Sequence, residues 1–270
     1  MSKKLLAGPY LVWMTGFIII PLALIVYYGL TDKSGAFTLA NVLAISTPEH
    51  TKALWLSLVL SLASTVICLI LAYPLAMILR NRNMGQGSFI VFIFILHMWM
   101  NFLLRTLAWQ TLLEKGGVIN GILKALRLPA QNLINTPGAI ILGMVYNFLP
   151  FMVLPIYNVL CKIDDNTVNA ARDLGANPAQ VLWHIWFPLS LPGVISGITM
   201  VFVPALTTFV ISNLLGGSKI LLIGNVIEQE FMKGSNWHQG SGLSLVLMVF
   251  ILISMALIAK YDKNGEGSAF

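Results

Sequence analysis

The sequence predicts an all-α integral membrane protein with about six transmembrane helices. Of its 270 residues, 57% are hydrophobic and only 10% are charged, whereas a soluble domain carries about 25% charged residues. So few charges cannot cover a water-facing surface, and six apolar stretches approach the roughly 20 residues that a helix needs to cross a membrane. Lys and Arg lie singly or in pairs at the ends of these stretches, as is typical of membrane proteins. The net charge of +6 is therefore no sign of nucleic-acid binding.

The six predicted spans follow one another with polar segments between them. We expect them at about residues 8–30, 53–79, 88–113, 137–161, 193–215 and 243–259. The first is longer than the 7–15-residue apolar core of a signal peptide, so it is predicted to remain as a helix. Several spans contain proline, at Pro21, Pro74, Pro150, Pro155 and Pro204. Such kinks are tolerated where neighbours satisfy the freed carbonyl groups, and they fit both a bundle that lines a path and irregular packing.

The orientation of the spans follows weakly from the basic residues. Their numbers in the two sets of connecting segments are almost balanced, but Lys3–Lys4 and Arg80 with Arg82 adjoin span ends and favour a cytoplasmic N-terminus. Outer loops are then expected at about residues 31–52, 114–136 and 216–242. The second contains a short amphipathic stretch with helical spacing. The third is a polar loop that is long enough to dock a partner, although it also fits a plain connection.

The most informative segment is the predicted cytoplasmic loop at about residues 162–192. Asp164 or Asp165 is suited to cap a short helix that runs to Leu174. Gly175 then suits the left-handed position that ends such a helix.

A second short helix is predicted directly after this glycine. Asn177 and Pro178 supply an N-cap and a first-turn proline, and we expect Pro188 and Pro192 to end the helix before the fifth span begins. The pattern predicts a helix–Gly–helix elbow that projects from the membrane. Capping signals alone favour an ordinary helical loop.

The elbow carries a family resemblance. It reads Asn169-Ala170-Ala171-Arg172-Asp173-Leu174-Gly175-Ala176, followed by Phe187-Pro188-Leu189-Ser190-Leu191-Pro192-Gly193. This resembles the EAA loop of ABC-importer permeases, and segments 37–41, 143–155 and 214–225 resemble the spermidine/putrescine type of these permeases. The resemblance covers nearly the whole chain. It implies the fold of a type I ABC-importer permease, with one transmembrane permease domain over residues 1–270 and a cytoplasmic coupling helix.

The resemblance also implies partners. The chain would be a multi-pass subunit in a bacterial inner (cytoplasmic) membrane and would form half of a translocation path. A second permease subunit would complete the path, an ATPase subunit dimer would bind the ATP, and a periplasmic or surface substrate-binding protein would deliver a small cationic substrate. The chain itself would bind no cofactor and no metal. The residues that match the motif would form the coupling helix in a cleft of the ATPase: Asn169, Ala170, Ala171, Arg172, Asp173 and Gly175.

Two residues depart from the family pattern. Asn169 stands where the family has Glu, so a neutral amide replaces a carboxylate at the expected ATPase contact. Asn213 stands where the family usually has Asp, near the outer end of the fifth span.

The candidate substrate path begins with Arg105, which is the one charged residue well inside a predicted span. An intramembrane charge is a functional candidate, although a side chain that snorkels to the membrane interface or pairs with a polar group such as Asn101 would serve structure alone. Because aromatic faces attract cations, aromatic residues join the path, while each also fits ordinary packing. The candidate path residues are Trp99, Asn101, Arg105, Trp109, Tyr146 and Asn213.

The sequence offers little support for an enzyme. It has no GxxxxGK[ST] phosphate loop and no HExxH motif, and Cys68 and Cys161 are predicted to be two packed thiols. A secondary transporter of a small organic cation is the alternative function, but it needs its own coupling-ion site, typically acidic residues at mid-membrane, and no predicted span contains a central carboxylate. A membrane scaffold would not explain the elbow. We therefore expect a transport subunit without its own ATPase site.

Overall fold

The computed structural model describes residues 8–81, 89–217, 219–234 and 236–261. Apart from an isolated antiparallel bridge between Thr31 and Phe37, all regular elements in these ranges are helical. In chain order, the α-helices are α1 (Gly8–Met14), α2 (Ile20–Gly29), α3 (Ala40–Leu43), α4 (Pro48–Asn81), α5 (Phe89–Trp99), α6 (Phe102–Leu113), α7 (Val118–Ala125), α8 (Pro137–Leu160), α9 (Asp165–Asp173), α10 (Pro178–Val181), α11 (Phe187–Thr207), α12 (Val210–Leu215), α13 (Ile223–Met232) and α14 (Trp237–Tyr261). Two π-helical turns, Thr15–Ile19 and Leu182–Trp186, and a 3₁₀ turn at Ala44–Ser46 complete the described elements.

Five helical runs in the described ranges are long and apolar enough to cross a membrane. They are Gly8–Gly29, Pro48–Arg80, Pro137–Leu160, Pro178–Thr207 and Trp237–Ile258. Each coincides with or contains most of a predicted span. The predicted all-α membrane architecture is therefore confirmed, although two of the spans differ from our expectation.

The expected continuous span at 88–113 is wrong, because two helices occupy the described part of this stretch. α5 ends at Trp99 and α6 begins at Phe102. Between them, the Asn101 side chain accepts hydrogen bonds from the backbone N–H groups of Leu103 and Leu104, at 2.9 and 3.1 Å. An asparagine that caps in this way starts a new helix, so Asn101 divides the predicted span into two helices.

The expected bounds of the fifth span are also wrong. α10, the π-helical turn and α11 form one uninterrupted run from Pro178 to Thr207, and Pro188 and Pro192 lie inside this run. The backbone N–H of Phe187 donates to the carbonyl oxygen of Leu182, which lies five residues earlier rather than the usual four. The missing N–H group of Pro188 therefore comes directly after a π-helical turn, where the hydrogen-bond pattern of the helix has already changed. The run then ends at Thr208, which is extended, and α12 begins separately.

Contacts divide the described chain into two compact units. The larger lies within Leu56–Leu222 and Ser254–Phe270. Its core forms where α8 packs along α11, with Met152 and Ile156 fully buried. Glycine permits this approach, because a Cβ added to Gly193 would lie 2.8 Å from the Pro155 carbonyl oxygen.

Each cysteine of this larger unit has a free thiol. Cys68 is buried as predicted, whereas Cys161 is exposed at the end of α8. The expectation of two packed thiols is therefore wrong for Cys161.

The smaller unit lies within Met1–Trp55 and Ile223–Ile253. The Asn41 side chain donates to the Thr31 carbonyl oxygen at 2.9 Å, and His238 Nδ1 lies 2.7 Å from the same oxygen. The segment that we expected to be a polar outer loop, at 216–242, contains α13 and the start of α14.

The amphipathic stretch of the preceding outer segment, which belongs to the larger unit, forms α7, as its spacing predicted.

Candidate functional site

The first helix of the elbow, α9, has the two ends that the sequence predicts. At its start, Asp164 Oδ1 accepts a hydrogen bond from the Asn166 backbone N–H at 2.9 Å. At its end, Gly175 adopts a φ of +86°. The backbone N–H groups of Gly175 and Ala176 donate to the carbonyl oxygens of Arg172 and Ala171, at 2.9 and 3.0 Å. This pair of bonds is the Schellman motif, so the direction in which the chain leaves α9 is set by a glycine in the left-handed region.

The second helix of the elbow starts with a reciprocal capping box. Asn177 Oδ1 accepts from the Gln180 backbone N–H, and Gln180 Oε1 accepts from the Asn177 backbone N–H, each at 2.8 Å. Pro178 occupies the first turn. Because α10 continues without interruption into α11, this cap also begins a helix that reaches Thr207.

The matched motif residues lie on the accessible side of the elbow. Val168 is buried and Ala171 is half-buried, so these two positions attach α9 to the rest of its unit. The remaining motif residues are exposed: Asn169, Ala170, Arg172, Asp173 and Gly175.

Sequence reasoning missed one residue of the elbow. Leu174 is 90% exposed, at the tip where α9 ends. We had considered it only as the last residue of the helix, although an apolar residue directly before a helix-ending glycine is a signal that could have identified it. A leucine side chain so exposed to water is suited to insert into an apolar pocket of another protein.

Three of the six candidate path residues come together in the larger unit. The rings of Trp109 and Tyr146 meet edge-to-face, with centroids 5.3 Å apart. His97 joins them, since its ring centroid lies 4.7 Å from that of Tyr146 and its Nε2 lies 3.1 Å from the Tyr146 carbonyl oxygen. Arg105 lies one turn before Trp109 on α6, so the two side chains share one face of that helix. Asn147, which follows Tyr146 on α8, donates to Thr106 Oγ1 on α6 at 3.5 Å. We call His97, Arg105, Trp109, Tyr146 and Asn147 the Tyr146 cluster.

The cluster has hydrogen-bonding groups that its own residues leave unused. Arg105 is 7% exposed, and its Nε and Nη1 atoms have no hydrogen-bond partner among the described residues. Asn147 donates to the Gly143 carbonyl oxygen at 2.9 Å, while its buried Oδ1 also lacks a partner there. Buried polar groups are normally paired, so the cluster retains capacity for a ligand or for water.

The remaining path candidates lie elsewhere. Asn101 uses its side-chain oxygen to cap α6, so the alternative that it pairs with Arg105 is wrong. Trp99 is 78% exposed and is not part of the cluster. Asn213 lies on α12, which packs against both α6 and α8. Sequence reasoning did not predict that His97 and Asn147 would lie in the cluster, although isolated polar residues within apolar stretches are a signal for both.

The chain matches a known protein family and several of its members over most of its length. The model of the family described as "Binding-protein-dependent transport system inner membrane component" matches residues 5–262. The spermidine/putrescine transport system permease protein PotB of Haemophilus influenzae is 34% identical over 260 residues, which cover 93% of this chain and 90% of that relative. PotB of Escherichia coli K12 is 35% identical over 245 residues, which cover 88% of this chain and 89% of that relative.

A solved structure extends the likeness to the fold. A chain in the crystal structure of a bacterial alginate ABC transporter, in complex with an alginate pentasaccharide-bound periplasmic protein, superposes with a TM-score of 0.81 at 15% identity. The superposition covers 96% of this chain and 93% of that one. At such low identity the match shows the fold alone. With the family match over residues 5–262, it follows that this chain is a multi-pass inner-membrane protein of the binding-protein-dependent transport system inner membrane component family.

Proposed function

We propose that this chain is a permease subunit of an ATP-driven ABC importer for polyamines such as spermidine and putrescine. The observation that carries the proposal is the 34–35% identity to two spermidine/putrescine permeases over nearly the whole chain. The exposed and doubly capped elbow supports it, since an importer permease must offer a rigid surface to its ATPase. In this proposal the chain is not an enzyme and binds no cofactor and no metal, and ATP binds to the partner ATPase.

The elbow provides a mechanical route from the ATPase into the membrane. We place Asn169, Arg172, Asp173 and Leu174 against a cleft of the ATPase. A displacement there reaches Pro178, the first residue of a 30-residue helical run, which spans about 45 Å at 1.5 Å per residue. ATP binding and hydrolysis would then bias this run between two arrangements, one open to each side of the membrane.

The Tyr146 cluster supplies this chain's half of the substrate path in the same proposal. The aromatic rings of Trp109 and Tyr146 can attract an ammonium group, and Asn147 Oδ1, which has no partner among the described residues, can accept a hydrogen bond from an amine. Asn213 lies on a helix that packs against the same two helices, and it would extend the path. A second permease subunit would complete the path, and a substrate-binding protein on the outer side would deliver the polyamine.

The test is ATP hydrolysis by the complex that this chain forms in its native membrane. We expect an ATPase and a second permease to co-purify with it in mild detergent. After reconstitution, a spermidine-loaded binding protein should raise ATP turnover, and the same protein without spermidine should not. ATP hydrolysis that the spermidine-loaded binding protein does not stimulate would overturn the assignment of polyamines as the substrate class. If the chain purifies alone and an ion gradient drives its uptake of spermidine without ATP, the proposal of an ATP-driven importer is overturned and the chain is a secondary transporter.

A further inference from the structure

We propose that Arg80 is a positioning residue that anchors the coupling helix α9 to the end of α4, so that movement of the elbow is passed to several helices together. The inference rests on the proposed function, because it assumes that α9 receives force from an ATPase. From the sequence alone, Arg80 served only as one of the basic residues that set orientation. The structure shows that its guanidinium is occupied by contacts with three other elements.

The Arg80 guanidinium makes hydrogen bonds, an ion pair and a contact with an aromatic ring. Its Nε donates to the Leu160 carbonyl oxygen at 3.3 Å, and its Nη2 donates to the Ile163 carbonyl oxygen at 3.0 Å. The same Nη2 lies 2.6 Å from Asp165 Oδ1. The guanidinium carbon also lies 4.3 Å from the ring centroid of Trp186. Only 13% of the Arg80 side chain is exposed.

The contacts of Arg80 lie in the elbow and in the helix end that precedes it. Leu160 is the last residue of α8, and its carbonyl group belongs to the helix end, where a cation is favoured by the helix dipole. Asp165 is the first residue of α9. Trp186 is the last residue of the π-helical turn within the run that leads into α11. One side chain on α4 therefore touches the end of α8, the start of α9 and the base of α11.

This arrangement determines how a displacement of α9 would spread. Residues 161–164 connect α8 to α9 without regular helix, and such a connection can act as a hinge that absorbs movement. Arg80 spans the connection, because it binds Leu160 before it, Ile163 within it and Asp165 after it. The ion pair with Asp165 contributes little by itself, since Asp165 is 69% exposed. The planar fork of the guanidinium, which reaches two carbonyl groups and stacks on Trp186, is what a lysine cannot reproduce.

Arg80→Lys distinguishes the proposed anchoring of α9 from the effect that the positive charge of Arg80 has on the orientation of the helices. Lysine keeps the positive charge that the orientation requires, but it loses the forked contacts. Asp165→Asn removes the charge of the exposed ion pair but keeps a side-chain oxygen that can accept a hydrogen bond from Arg80 Nη2. Lys162→Ala is the matched control, because it removes an exposed cation at the same end of α8.

The first readout is the number of substrate molecules imported per ATP hydrolysed, measured on the whole complex in proteoliposomes. Coupling between sites commonly corresponds to factors of about 5–150, and for Arg80→Lys we expect a loss at the low end, about fivefold. We expect the ratio to stay near wild type for Asp165→Asn and Lys162→Ala. An unchanged ratio in Arg80→Lys, or an equal loss in Lys162→Ala, would overturn the anchor.

The second readout does not depend on the substrate. In a Cys161→Ser background, spin labels at Asn166 on α9 and at Ile78 on α4 report the distance between the two helices in the assembled complex. We expect a narrow distance distribution in the otherwise wild-type chain and a broader one in Arg80→Lys, and equal widths would overturn the anchor. If the wild-type complex imports no polyamine, the proposed function fails, while this distance measurement still tests Arg80.

Discussion

Gly175→Val tests whether the geometry of the elbow, rather than its presence alone, couples ATP hydrolysis to import. Gly175 has a φ of +86°, and a Cβ added there would meet no atom within 4 Å. The substitution therefore causes no collision, and its cost comes from the backbone alone. A left-handed conformation costs an L-residue about 1–2 kcal/mol, which corresponds to a factor of about 5–30 in the equilibrium between the native elbow and its opened forms.

The expected result is a selective loss of transport. Because valine resists the left-handed region, the bonds from Gly175 and Ala176 to the end of α9 should open, and spermidine uptake should fall by about 5–30-fold. The amount of protein inserted in the membrane should not change, since Gly175 is exposed and lies outside the core. Uptake into vesicles, normalised to the membrane-inserted protein, measures the effect.

Two further variants make the experiment decisive. Gly175→Asn should retain most of the uptake, because asparagine tolerates the left-handed region. Gly121→Ala, in a helix where an added Cβ also meets nothing within 4 Å, should be neutral or slightly stabilising. Normal uptake by Gly175→Val would refute the reasoning, as would a Gly175→Asn variant that is as impaired as the valine variant.

Three further predictions address the path, the core and the start of the coupling helix. Arg105→Ala should lower uptake more than expression, because Nε and Nη1 have no partner among the described residues whose loss would destabilise the fold; equal losses of uptake and expression would assign Arg105 a structural role. Gly193→Val should destabilise the packing of α8 on α11 by about 1–3 kcal/mol, since its Cβ would lie 2.8 Å from Pro155 O; a thermal melt in detergent measures this, and an unchanged midpoint would contradict it. Asp164→Ala should cost α9 about 1 kcal/mol through its lost cap, seen as faster amide hydrogen exchange in α9, whereas Asp164→Ser should restore protection.

The sequence predicted the elbow closely because helix ends are local events. Asp164, Gly175 and Asn177 act through hydrogen bonds to residues two to five positions away. A capping residue or a left-handed glycine therefore carries its structural meaning in its immediate neighbours. The same holds for the five long apolar runs, since their length and composition alone make them suited to lipid.

The interruptions of the helices were harder to predict. Asn101 divides a stretch that we expected to be one span, and Thr208 divides α11 from α12. Pro188 and Pro192, which we expected to end a helix, are accommodated within one. Hydropathy reports how well a stretch suits lipid but not where its backbone hydrogen bonds shift, so a single cap or π-helical turn escapes it.

By itself, the sequence determined that this is a helical membrane protein with a capped elbow, because apolar length and capping act over a few neighbouring residues. Only the tertiary structure decided which distant residues meet. It brings His97 and Trp109 to Tyr146 and leaves Trp99 outside the cluster. It also places Arg80 against Asp165 and Trp186, 85 and 106 positions further along the chain. Such meetings depend on how α4, α6, α8 and α11 pack, which no local pattern records.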